Sequence, residues 1–108
     1  MKRYHVKITD HALADMEAIY DYIALRLQVP DTAMEQYNRI ADGIESLSEY
    51  PLRCKLMDSR PERDRGMRQR LVDNYTIVFV VDVDKAIVTI LRVFYAASDI
   101  IARLRELD

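Results

Sequence analysis

The chain has 108 residues, with 16 Lys/Arg against 18 Asp/Glu and a formal net charge of −2. That length suits one domain spanning 1–108 with a modest core, and no apolar run approaches the roughly 18 residues that a bilayer span requires. A single cysteine, Cys54, and only two histidines, His5 and His11, exclude a disulfide framework and argue against a metal site or a Ser-His-Asp arrangement. No cofactor motif is present, and the start MKRYHVKITDH lacks the apolar stretch of a signal peptide, so a reducing cytoplasm is the expected setting.

Residues 3 to 9 alternate, with Tyr4, Val6 and Ile8 on one side and Arg3, His5, Lys7 and Thr9 on the other. Period two predicts a half-buried strand. Thr9 or Asp10 then supplies a helix cap. Leu13, Met16, Ile19, Tyr20, Ile23 and Leu27 recur three or four apart, the apolar stripe of an amphipathic helix. Pro30 ends that pattern and Asp31 is the expected cap of a second helix, whose stripe is Met34, Tyr37, Ile40, Ala41, Ile44 and Leu47. Its close is Tyr50-Pro51. Asp10, Asp15, Glu17 and Asp21 are distributed as a wetted helix face.

Between Pro51 and Gly66 there is charge and proline without periodicity, which predicts an exposed loop. Alternation resumes at Met67 to Val72, Asp73-Asn74 signals a turn, Tyr75 to Asp82 is β-branched and aromatic, and Ile87 to Tyr95 is a last strand. Ser98 or Asp99 would cap a short terminal helix with Ile100, Ile101, Leu104 and Leu107 on its apolar side. The expected fold is α+β: an N-terminal strand, an antiparallel helical hairpin, a three-strand antiparallel meander and a short C-terminal helix. The helices pack on one sheet face and leave the other free to bind.

Charge is sharply polarised. Residues 53–70 hold seven Lys/Arg against three acids, a net +4, and leave nine basic and fifteen acidic residues, a net −6, elsewhere. Arg65, Arg68 and Arg70 belong to this segment, and Arg68 and Arg70 share one strand face, opposite Met67 and Leu71. Two guanidiniums side by side suit phosphate or carboxylate recognition. Pairing with acids on the chain's own helices accounts for them equally well. Arg92 lies in an apolar strand, where a paired structural arginine is the commoner case. Tyr95 can stack on a base or close the edge of the core.

With this order of elements, the chain resembles the RelE/ParE superfamily of bacterial toxins, the toxic halves of type II toxin–antitoxin modules. The pieces that carry the resemblance are YHVKIT, DHALADMEAIYDYIA, AMEQYNRIADGIESLSEYP, RGMRQRLVDNYTIVFVVD and TILRVFYAASDI. MRQRLVDNYTIVFVVD and ILRVFYAASD are similar to the ParE-like branch. The resemblance implies one of two activities: poisoning of DNA gyrase, as in ParE-like members, or ribosome-dependent cleavage of mRNA, as in RelE-like members. It also implies a cognate antitoxin that wraps the toxin in a hetero-oligomer. An attenuated toxin, acting mainly as antitoxin partner and corepressor, is a third reading.

Carried over residue by residue, the ribonuclease pattern places its mid-sheet arginine on Thr76 and its second-strand lysines near Met67 and Gln69. Its C-terminal arginine falls near Ala96 or Ala97, and its last tyrosine near Ala102. The ParE-like arginine before the V-x-NY segment is present as Arg68. Arg65, Arg68, Arg70, Arg92 and Tyr95 are the expected target-binding residues.

Overall fold

The computed structural model describes residues 2–96 together with Ala102 and Leu104. The first strand, β1, is His5–Ile8. Thr9 then caps helix α1, Asp10–Asp21, its hydroxyl oxygen accepting from the Ala12 N–H at 3.2 Å. A π-helical turn, Tyr22–Arg26, prolongs α1, and Gln28 turns the chain with a left-handed φ of 59°.

Helix α2 is Pro30–Glu45. Asp31 is therefore not its cap. Pro30 occupies the first helical position, where a missing N–H costs nothing and the fixed φ is already helical. Helical turns at Ser46–Ser48 and Pro51–Arg53 lead to β2, Arg68–Val72, then β3, Tyr75–Asp82, and β4, Ile87–Tyr95.

The sheet runs β1-β4-β3-β2. The meander is antiparallel as expected, whereas β1 joins β4 in parallel, with Val6 opposite Val88 and Ile8 opposite Ile90. Because β1 stops at Ile8, β4 would have a bare edge from Leu91 onward. Helix α1 lies along that edge, and the Thr9 hydroxyl donates to the Ile90 carbonyl at 2.8 Å.

On the helix face, Ile77, Phe79, Val88, Ile90 and Val93 pack with Ala12, Met16, Ile40, Ile44 and Leu47. The parity of β4 changes from Ile90 to Val93 because Leu91 is a bulge: Phe79 faces Ile90 while Val78 faces Arg92. The helical stripes are rotated slightly from the pattern. Leu13, Leu27 and Met34 are exposed, and Ala12, Ala33 and Gln36 are buried instead. The rotation follows from which side the sheet lies on, a tertiary property.

The far face is not free. Val78 and Phe94 are buried with Met57 and Leu104, and Met67 and Leu91 pack against them. The 51–66 segment is likewise more than an exposed loop, since Pro51, Met57 and Glu62 are buried. It also pairs with the outer edge of β2, where the Met57 N–H donates to Met67 O at 2.9 Å and the Gln69 N–H to Lys55 O at 3.2 Å. That covers an edge which would otherwise template association. Ala102 and Leu104 are helical, but the caps Ser98 and Asp99 and the residues Ile100, Ile101 and Leu107 lie outside the described residues.

Candidate functional site: an arginine seam and an apolar groove

The five expected site residues do not converge. Arg68 and Arg70 do share one face of β2, opposite Phe79 and Ile77. That parity places them on the α2 side of the sheet and not on its far face. Arg68 donates to Cys54 O at 2.6 Å, so it also holds the 51–57 segment.

Arg70 lies across Gly43 of α2. A Cβ built on Gly43 would stand 3.7 Å from Arg70 Nε and only 2.6 Å from Val72 Cγ2. Glycine is what lets helix and strand approach here, and burying the Arg70 stem follows from it. Arg70 Nε is fully enclosed with no acceptor among the described residues.

Arg92 lies apart from these, in β4, and is engaged by a carboxylate. It faces Val78 on β3 from its own place in β4, and its guanidinium meets the Asp15 carboxylate through Nε at 2.6 Å and Nη2 at 2.8 Å. The Val93 N–H donates to the same carboxylate at 2.9 Å. Asp15 is thus not part of a wetted face: both side chains are nearly nine-tenths buried. Arg65 is exposed on the 59–66 loop. Tyr95 meets Tyr75 edge-on, with ring centroids 5.8 Å apart.

Tyr95 belongs to a second feature, a groove of about 660 Å³ between the end of the hairpin and β4. Tyr22, Leu27, Val29, Tyr75, Phe94 and Tyr95 line it, with Asp15 at its floor. Tyr22, Leu27 and Tyr95 are each 53% exposed. That much adjoining apolar surface left in water makes the groove a candidate interaction site. Burial raises the Tyr75 phenol above its ordinary pKa, and the neighbouring Tyr95 and Tyr22 phenols add to the shift. Tyr75 therefore stays a neutral hydrogen-bonding group at physiological pH.

Sequence reasoning missed Tyr22, Tyr75 and Arg53. Arg53 donates to the Tyr50 carbonyl at 2.9 Å and lies 3.4 Å from Ser46 Oγ, so it closes the C-terminal end of the hairpin. A cation at a helix C-terminus was the available signal. Nothing local marks Tyr22, which opens the π-helical turn. Among the described residues no helix is long and apolar enough to cross a membrane.

This fold is shared with solved toxin structures. The toxin of the chromosomal ParDE system from P. aeruginosa is 24% identical, with 88% of this chain and 98% of that one covered and a TM-score of 0.69. The RelBE2 complex from Mycobacterium tuberculosis matches at 21% identity, 86% and 98% coverage and a TM-score of 0.62. A doubly substituted mutant of the E. coli toxin RelE, in the free state, matches at 13% identity, 98% and 99% coverage and a TM-score of 0.62. No curated protein sequence resembles the chain significantly. The model of the family described as the ParE toxin of the type II toxin–antitoxin system, parDE, matches residues 6–100. The fold is that of the RelE/ParE toxins, and within them this chain belongs to the ParE toxin family.

Proposed function

We propose that this ParE-type toxin arrests growth by binding DNA gyrase, without catalysing a reaction, and that a cognate antitoxin silences it by covering the groove lined by Tyr22, Leu27 and Tyr95. The observation that carries the reading is Thr76. The position where the ribonuclease pattern requires an accessible arginine holds a threonine that is 3% exposed. Such a group can neither approach a scissile phosphate nor neutralise its developing charge. The Arg92 guanidinium is likewise engaged by Asp15 and would have to break a buried ion pair to reach a substrate. Arg65, Arg68 and Arg70 form the surface for the target, and the apolar groove suits an amphipathic antitoxin segment.

The test is pulse-labelling of bacteria in the minutes after induction, with purified toxin in a gyrase supercoiling assay alongside. Early loss of thymidine incorporation and inhibited supercoiling are expected. Early loss of methionine incorporation with supercoiling intact would overturn the reading and move the target to the ribosome.

A further inference from the structure

Three arginines lie near the seam between α2 and β2, and none forms an ion pair with a carboxylate among the described residues. Arg53 is held by backbone carbonyls and Ser46 Oγ. Arg68 is held by the carbonyl oxygens of Cys54 and Leu52. The Arg70 side chain makes no hydrogen bond or ion pair among the described residues, and its Nε is sealed from water. Carbonyl dipoles orient a guanidinium without cancelling its charge. Because Arg70 Nε is sealed, an oxyanion docking here meets the outer nitrogens of the Arg70 guanidinium.

The arrangement selects among anions. Arg68 and Arg70 alternate on one strand face, so their stems are about 7 Å apart and point the same way. Arg53 reaches the same Gly43–Ser46 turn of α2: its Nη2 is 3.4 Å from Ser46 Oγ, which itself donates to Gly43 O at 2.7 Å. A lone carboxylate is satisfied by one guanidinium fork. Cations spaced along one strand face suit successive monoanions along a backbone. Arg53 itself lines the adjoining cleft together with Asp42, Glu45 and Glu49, and these acids bound the footprint on that side.

We infer that Arg53, Arg68 and Arg70, at the rim of the seam closed by Gly43, form a phosphate-binding surface that takes a short stretch of nucleic-acid backbone. The inference rests on the gyrase reading and deepens it, since the DNA held by gyrase becomes a direct contact of the toxin.

The experiment is fluorescence anisotropy of a labelled 12-base-pair duplex with the purified toxin, in 50 to 200 mM salt. Three phosphate contacts predict an affinity loss of about 40-fold over that range, falling to about 12-fold in Arg70→Gln. Arg70→Gln should also weaken binding at 50 mM salt by about 10-fold, and inorganic phosphate in the millimolar range should displace the duplex. Arg53→Gln, at an exposed side chain, provides a second variant should Arg70→Gln fold poorly; it should show the same drop in salt dependence. No duplex binding, or binding that neither variant alters, overturns the inference. Equal affinity for a polyglutamate peptide, with the same sensitivity to Arg70→Gln, overturns it in favour of an acidic protein partner. Duplex binding by a toxin that leaves supercoiling untouched would count against the gyrase reading alone. Gyrase inhibition by a toxin that binds no duplex would count against the seam alone.

Discussion

Asp15 clamps Arg92 across 77 positions of sequence: one carboxylate accepts two guanidinium N–H groups and the Val93 backbone N–H. The last of these replaces the hydrogen bond that a longer β1 would have given to β4. Helix α1 thereby finishes the sheet edge that β1 leaves open.

Asp15→Ala should accordingly be severe. It strands a buried guanidinium and an edge N–H together, and removing one partner of a buried pair costs about 3–5 kcal/mol. For a domain of this size that lowers the melting temperature by well over 10 °C. The double variant Asp15→Leu/Arg92→Leu should recover part of the loss, because no uncompensated charge is left. Urea denaturation of the two variants measures both effects.

The turn between β2 and β3 is anchored differently. Asp73, itself at a left-handed φ of 53°, accepts from Arg39 Nε at 2.7 Å and from Gln36 Nε2 at 3.0 Å. These hydrogen bonds, Arg39's first, hold the Asp73 carboxyl below its ordinary pKa. Its folded-state value is the depressed one. The contribution to stability is thus fully present above the ordinary value of about 3.9 and is lost as pH falls through the folded value. Urea midpoints of the wild type and Asp73→Asn should differ by a constant amount above about pH 5 and converge below about pH 4. A gap that persists unchanged to pH 2.5 would contradict this account.

How much of this was legible beforehand depends on the range of the interaction. The alternation in 3–9 and 67–95 and the stripes around Met16 and Ile40 are local, and they placed the elements correctly. The far face of the sheet read as open because Met57, which covers it, comes from a segment without periodicity, and because the stripe containing Leu104 does not itself say which face it packs on. Asp15 read as solvated because its partners, Arg92 and Val93, sit on the last strand. The bulge at Leu91 hid the inward turn of Val93, since strict alternation would have put it outside. Arg68 and Arg70 were placed together correctly, but which face they share depends on pairing with β3.

Gly43 yields a test of the α2–β2 approach. Alanine favours helix by about 1 kcal/mol over glycine, so Gly43→Ala would stabilise an isolated α2. In the folded chain its Cβ would stand 2.6 Å from Val72 Cγ2, and crowding of that kind costs about 1–3 kcal/mol. The expected balance is destabilisation of up to about 2 kcal/mol. Pairing Gly43→Ala with Val72→Ala should relieve the clash. The double variant should then be no less stable than Val72→Ala alone, and thermal melts of the three variants decide it.

The groove makes the last prediction, and it separates folding from recognition. Tyr22 and Leu27 leave more than half of their surface in water, so charged replacements there change stability by no more than about 0.5 kcal/mol. If an antitoxin segment buries them, Tyr22→Asp and Leu27→Asp each place a charge in an apolar contact and remove an anchor. Anchors of this kind contribute about 2 kcal/mol or more, roughly a 30-fold loss of affinity. Calorimetric titration with a cognate antitoxin should show that loss while thermal melts stay within a few degrees of wild type. Cells carrying these variants should escape antitoxin protection yet remain sensitive to the toxin, because Arg65, Arg68 and Arg70 lie outside the groove. Unchanged affinity in both variants would move the antitoxin to another face of the hairpin.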